Sequence, residues 1–247
     1  MKKAIFSAAI AAMLLSVSAA QAVTITYDST VAKDGSGKTS TLAGQNNVFV
    51  ETFDRADGTG GLTLGSNIVN VTTVSGGGFG YAQGDRQNVY AAPAGDSTHF
   101  VYGPNANSGS NSAQVNFNYA PLLAQKGTDA SLNYFGLYYG SIDTFNDVTF
   151  YNAAGAVLQT ITGTQLIKQF NGVSGGQDAD SSNIYVNLFF SAAEQFTSFS
   201  FNTSSLAFEA DNLVVGYQVV NPVPEPASLA LLGLGLLGLG AARRRKN

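Results

Sequence analysis

The chain has 247 residues, 45% of them hydrophobic, with no cysteine, no tryptophan, a single histidine and a formal net charge of −4. The lack of cysteine excludes disulfides, thiolate metal sites and a cysteine nucleophile, and one histidine is too few for a histidine-rich zinc site. Residues 23–221 carry six basic and fifteen acidic side chains, a net charge of −9, so this region repels nucleic acid and anionic lipid.

The N-terminus has the features of a secretory signal peptide. Two lysines precede an apolar run over residues 4–17, and the small residues Ala20 and Ala22 form an A-x-A cleavage site. We therefore predict that residues 1–22 are a signal helix that is cleaved after Ala22. Such a segment directs the chain through the inner membrane.

Residues 23–221 have the pattern of one all-β domain. β-Branched and aromatic residues alternate with polar ones at period two, between clusters of Gly, Asn, Asp and Ser, which predicts strands. The predicted strands are 48–53, 114–119, 132–139, 147–151, 157–162, 184–190, 196–201 and 212–219. One short helix is predicted at 120–127. Short strands at near-regular spacing favour a β-sandwich of the jelly-roll type.

Carboxylates are the residues of this domain best suited to carry chemistry. Glu209 and Asp211 are two apart on a predicted strand and would share a face, whereas Asp143 and Asp147 bracket a turn. These four are weak candidate ligands for a structural calcium ion, which takes about six to eight oxygen ligands. A pair of them is alternatively the acid and base of a glycan hydrolase. Neither pattern is specific, so no catalytic residue is assigned and no other cofactor is expected.

The C-terminal segment, residues 222–247, contains three ordered features: a proline-rich tetrapeptide, an apolar run of Leu, Gly and Ala, and an arginine cluster. The residues expected to direct sorting and processing are Val223, Pro224, Glu225, Pro226, Arg243, Arg244 and Arg245. As a helix, the apolar run 229–242 would cover about 21 Å, against about 30 Å of bilayer hydrocarbon. We therefore predict a C-terminal transmembrane helix that inserts only transiently in the inner membrane, with its arginines in the cytoplasm.

This order of features resembles the PEP-CTERM sorting signal. The resemblance covers residues 223–247 and implies export in a Gram-negative bacterium that makes exopolysaccharide. It also implies that the membrane enzyme exosortase recognises the tail near the Pro-Glu-Pro triplet. In addition, residues 134–163 and 183–215 are similar to a class of PEP-CTERM surface proteins whose exported domains are β-sandwiches.

We expect a non-enzymatic protein of the cell surface, outer envelope or extracellular biofilm matrix. A carbohydrate-binding module for exopolysaccharide is the alternative, and a glycan hydrolase is less favoured. Aromatic side chains at 134–140 would either stack on sugars or pack in the core. The expected partners are an exosortase-type processing enzyme, the inner membrane during transit and extracellular polysaccharide, but not nucleic acid.

Overall fold

The computed structural model describes residues 23–54, 68–127 and 129–219. The predicted signal peptide with its cleavage site, and the sorting segment 222–247 with its predicted transmembrane helix, lie outside the described residues. In the described ranges, no helix is long and apolar enough to cross a membrane.

Strands dominate the described parts of the chain. In chain order they are β1 (Thr24–Thr26), β2 (Thr30–Val31), β3 (Lys38–Thr39), β4 (Val48–Glu51), β5 (Asn70–Gly76), β6 (Gly80–Gln83), β7 (His99–Gly103), β8 (Ala113–Asn118), β9 (Ala130–Gly140), β10 (Asn146–Tyr151), β11 (Val157–Thr162), β12 (Ile184–Phe189), β13 (Ser198–Thr203) and β14 (Phe208–Val219). The helices are α1 (Ala120–Lys126), α2 (Gly163–Phe170) and a 3-10 turn at Ala106–Ser108. The predicted helix is therefore confirmed as α1.

The strands form two large sheets and a small ribbon. The front sheet has the order β1-β12-β9-β14-β7-β6, and β4 also pairs with β14. The back sheet has the order β11-β10-β13-β8-β5, and β2 pairs with β3 in the ribbon. Every described strand pair is antiparallel. The prediction of a mostly β protein with antiparallel sheets and few helices is confirmed.

One hydrophobic core joins the two large sheets. Phe135 of the front sheet lies edge-on to Phe150 and Phe199 of the back sheet, with ring centroids 5.1 and 4.9 Å apart. Phe208 of β14 stacks on Phe201 of β13 at 4.7 Å. Because these rings are buried and cross from one sheet to the other, they hold the sheets together.

The burial pattern shows which sheet face is covered. Strands β8 and β10 alternate between buried and half-buried residues, because one face meets the core and the other is more open. Strands β9 and β14 are buried on both faces over most of their length. On the outer face of the front sheet, Tyr134, Tyr138 and Tyr185 form a second buried cluster with Val214. The tyrosines of 134–140 therefore pack inside the protein and are not exposed for stacking on sugars.

Helix α2 is not predicted by the strand-like sequence pattern, and capping explains why it forms. The Oγ1 of Thr162 accepts a hydrogen bond from the amide of Gln165 at 3.1 Å, which caps the first turn. Asn171 ends the helix in the left-handed conformation, at φ 55°.

Candidate functional site

A polar cavity of about 310 Å3 lies on the outer face of the front sheet, where β9 ends and β14 begins. Two of the four carboxylates selected from the sequence, Asp143 and Glu209, line it together with Asn88, Tyr90 and Gln177. Carboxyl, amide and phenol groups are suited to a polar ligand. Another cavity, of about 400 Å3 beside α1, is lined without any charged side chain and is not a comparable candidate.

Glu209 forms the floor of this polar cavity and is only 3% exposed. Its Oε1 accepts a hydrogen bond from the amide of Ala91 at 3.1 Å, and its Oε2 accepts one from the hydroxyl of Ser141 at 2.9 Å. Burial raises the pKa of Glu209 to about 8, against the opposing effect of these two hydrogen bonds, and the charge of Asp143 raises it further. Glu209 is therefore mainly a neutral acid at pH 7.

Asp143 lines the same cavity and is closer to solvent. Its Oδ1 accepts a hydrogen bond from the hydroxyl of Ser174 at 2.9 Å. Burial raises the pKa of Asp143, and the hydrogen bond from Ser174 opposes that rise. The cavity thus combines a neutral acid with a second carboxyl group, an arrangement that can donate and accept hydrogen bonds to a ligand rich in hydroxyl groups.

Asn183 ties the cavity-wall loop to the rest of the domain and is fully buried. Its Nδ2 donates to the carbonyl oxygens of Gly176, Gln177 and Ala179 at 2.9 to 3.0 Å. Its Oδ1 accepts from the amides of Ala94 and Ser141 at 2.9 and 3.1 Å. One amide side chain therefore holds three segments around the cavity in place.

Asp147 is separate from this cavity, although it is close to Asp143 in sequence. It lies on β10 of the back sheet, and its Oδ1 accepts a hydrogen bond from the amide of Gly163 at 3.2 Å, at the start of α2. Burial raises the pKa of Asp147. Its contacts are those of a residue that stabilises a helix terminus.

Asp211 shares a face with Glu209, as the sequence spacing predicts, but it contacts a different partner. Phe208, which precedes Glu209, and Ala210, which lies between Glu209 and Asp211, point into the core. Asp211 is fully buried and its carboxyl group lies beside that of Asp96. Burial raises the pKa of Asp211 well above its ordinary range, and the charge of Asp96 adds to the rise. The predicted pairs are thus rearranged: Glu209 lies with Asp143, and Asp211 with Asp96.

Sequence reasoning missed Asp96 and Asn183, both of which matter at this face. Asp96 starts an Asp-Ser-Thr turn, in which its Oδ1 accepts from the amide and hydroxyl of Thr98, both at 2.8 Å. That turn is visible in the sequence, but its approach to Asp211 is not. Across the described ranges, no group of three or more His, Cys, Asp or Glu side chains is arranged to hold a metal ion.

A family comparison identifies the C-terminal segment. The family described as the PEP-CTERM protein-sorting motif matches residues 222–246. The chain carries a PEP-CTERM sorting motif. This motif implies an exported bacterial protein that exosortase sorts and that associates with the surface. The match includes the tetrapeptide and the arginine cluster selected from the sequence.

Other comparisons add little to the PEP-CTERM assignment. The K2 cleaved adhesin domain of Lys-gingipain is 15% identical, with a TM-score of 0.38 over 68% of this chain and 98% of that one. The enzymatically active domain of tailspike protein 4 of bacteriophage CBA120 is 12% identical, with a TM-score of 0.28 over 68% of this chain and 21% of that one. No curated protein matches the sequence.

Proposed function

We propose that residues 23–221 are a non-enzymatic protein of the cell surface, outer envelope or extracellular matrix of a Gram-negative bacterium. The PEP-CTERM motif at 222–246 is the observation that supports this proposal most strongly. The acidic character of the exported region agrees with it, because a charge of −9 favours solubility outside the cell. In this proposal, residues 23–221 form the stable folded domain and the C-terminal segment directs its sorting.

Processing follows from the physical character of the two ends. We propose that residues 1–22 are removed after export and that the run 229–242 pauses in the inner membrane as a short helix. Pro224 and Pro226 keep Glu225 in an extended peptide, which an exosortase-type enzyme can bind outside the membrane. The mature protein then lacks the arginine cluster.

The strand order supports a jelly-roll interpretation of the β domain. Strands β7, β9, β12 and β14 lie in the front sheet in the order β7-β14-β9-β12. Strands β8, β10, β11 and β13 lie in the back sheet in the order β8-β13-β10-β11. Two facing four-stranded sheets with these crossovers are typical of a jelly roll. Such a body needs no disulfide at this size.

Mass spectrometry of cell fractions tests the proposed processing. We expect the mature surface protein to lack residues 229–247, and a variant with Pro224, Glu225 and Pro226 changed to alanine to remain uncleaved in the inner membrane. Pro222→Ala, which changes a proline outside the triplet, is the matched control and should be processed normally. An intact arginine cluster on the surface-located wild-type protein would show that the tail is a permanent anchor.

A second candidate function is carbohydrate binding in the polar cavity. The observation that favours it is the set of Asp143, Glu209, Asn88 and Gln177 around one opening, since these groups match sugar hydroxyls. A glycan array with wild-type protein and Asp143→Asn tests it, and Asp147→Asn, outside the cavity, is the control. Loss of signal in Asp143→Asn alone would support the site, and equal signals in all three proteins would reject it.

The same two carboxyl groups define the hydrolase alternative. Glu209 is the better acid, because it carries a proton at pH 7, and Asp143 is the better base. The burial of Glu209 argues for a structural role instead, because both of its carboxyl oxygens already accept hydrogen bonds, from Ala91 and Ser141. Release of reducing sugar from exopolysaccharide by wild-type protein, abolished by Glu209→Gln, would favour the hydrolase over a non-enzymatic role.

A further inference from the structure

Asp211 lies at a gap between two strands of the front sheet. On one side, β14 pairs with β9 along most of its length. On the other side, β7 pairs with residues 208–210 of β14, and β4 pairs with residues 213–216. On this side of β14, Asp211 and Asn212 therefore pair with neither β7 nor β4.

Neither carboxyl oxygen of Asp211 makes a well-oriented hydrogen bond to any described residue, although the side chain is fully buried. The carboxyl group of Asp96 is near enough to raise the pKa of Asp211, and the amide of Asn212 is near enough to lower it. Buried polar groups are almost always hydrogen-bonded, and a buried carboxylate is costly without a partner. A proton shared with the neighbouring carboxyl group of Asp96 can satisfy one oxygen of Asp211, but the other oxygen still lacks a partner among the described residues.

Asp96 points its own unpaired oxygen to the same place. Its Oδ1 is held by Thr98, but its Oδ2 is buried and has no hydrogen-bond partner among the described residues. The carboxyl group of Asp54, which accepts from the amide of His99 at 3.1 Å, is near enough for its charge to act on both Asp96 and Asp211. Three carboxyl groups therefore lie close to one another at this gap.

The polypeptide described here provides no compensating positive charge. The ion pair among the described residues joins Lys38 to Asp180 at 2.9 Å, and it involves neither Asp96 nor Asp211. The side chain of Asn212 turns away to donate to the carbonyl oxygens of Ser36 and Lys38 at 2.9 and 3.0 Å. It holds the strap of residues 36–38 over this part of the sheet.

Two kinds of partner can satisfy these oxygens. A single proton shared between Asp96 and Asp211 would engage one oxygen of each carboxyl group and leave the other oxygen of Asp211 unpaired. A cation can engage all three oxygens together and compensate their charge. The oxygen chemistry and the irregular strand junction suit calcium, which accepts flexible geometry and completes its shell with water and backbone carbonyls.

We propose that Asp96 and Asp211 bind one calcium ion in the gap between β4 and β7. The ion ties β14 to the loop that leads into β7 and thereby closes the weakest point of the front sheet. It keeps Asp211 from the four sequence-based calcium candidates and adds Asp96, because Asp143 and Glu209 line the polar cavity and Asp147 accepts a hydrogen bond at the start of α2. The ligand is a divalent cation with a structural role, not a participant in catalysis.

The test uses the purified protein, stripped with EGTA and titrated with calcium chloride by isothermal titration calorimetry. We expect one calcium ion per chain and a rise in Tm, followed by circular dichroism, when calcium is added. Asp211→Asn and Asp96→Asn should each weaken calcium binding by about a hundredfold or more and remove the rise in Tm. Asp147→Asn, which changes a carboxyl group outside the gap, should bind calcium like wild-type protein.

The state without calcium separates binding from a folding defect. Asparagine has the size of aspartate without its charge, so Asp211→Asn should fold without calcium, with a Tm no lower than that of stripped wild-type protein. Absence of calcium binding by wild-type protein would overturn the proposal in favour of a shared proton. So would an equal response to magnesium alone, or normal calcium binding by Asp211→Asn.

Discussion

Replacing Asn183 with leucine tests whether one buried amide holds the wall of the polar cavity. Leucine has nearly the same size, so the change removes hydrogen bonds without opening a large hole. It leaves the amides of Ala94 and Ser141 without their acceptor and three carbonyl oxygens without their donor. The expected result is a less stable protein with a loosened cavity wall.

The magnitude follows from the number of buried donors that lose their partner. A buried donor without a partner costs about 1 to 3 kcal/mol. The amide of Ser141 is buried, whereas Ala94 is half-buried, so its amide can find water more easily. We therefore expect Asn183→Leu to lower the free energy of unfolding by about 3 kcal/mol.

Urea unfolding followed by far-UV circular dichroism measures this loss, with tyrosine fluorescence as a second probe because the chain has no tryptophan. The matched control is Asn152→Ala. Asn152 also accepts two backbone hydrogen bonds, from the amides of Ala154 and Ala156, but it does so in an exposed turn. Because water replaces those bonds, we expect a loss below about 1 kcal/mol. Equal losses in the two variants would refute the argument that burial makes Asn183 important.

Three further predictions concern other parts of the domain. The pKa of Glu209 rises from 4.5 to about 8 on folding, so its stabilising effect is complete below pH 4.5 and disappears as the pH rises to 8. Urea unfolding at several pH values measures this loss. Across that range, the free energy of unfolding of wild-type protein should fall by up to about 5 kcal/mol relative to Glu209→Gln. Gly37→Ala should lower the free energy of unfolding by about 3 kcal/mol, because the new Cβ would lie 2.5 Å from the ring of Tyr138. The control Gly44→Ala is also at positive φ but lies in open space, so it should cost about 1 kcal/mol. Similar losses in the two variants would exclude the steric explanation. Phe199→Ala should cost about 3 to 5 kcal/mol in chemical denaturation, since its ring contacts aromatic residues of both sheets; a loss below 1 kcal/mol would contradict the shared core.

Local patterns in the sequence predict much of the secondary structure. The segments that became β8 and β10 alternate in polarity, because only one face of each strand enters the core. The first helix starts with an Ala-Pro pair and contains two buried leucines. Strand β5, which has small and polar residues and is mostly exposed, carries a weaker signal and depends on its pairing with β8.

The candidate sites were harder to predict, because their members are distant in sequence. Their spacing on one strand predicts that Glu209 and Asp211 form a pair, yet each meets a residue from another loop. Asp96 is 115 positions before Asp211, and Asp143 is 66 positions before Glu209. Hydrophobic periodicity describes which face a residue occupies but not which loop covers that face.

The sequence by itself determined that this protein carries a signal for export and sorting. The PEP-CTERM motif lies in one continuous segment, residues 222–246, so its pattern is complete in the sequence without any tertiary contact. Only the tertiary structure decided which carboxyl groups are buried and which meet. Antiparallel pairing and the loops over the front sheet bring Asp96 to Asp211 and Asp143 to Glu209, and removal from water then changes how firmly each group holds its proton.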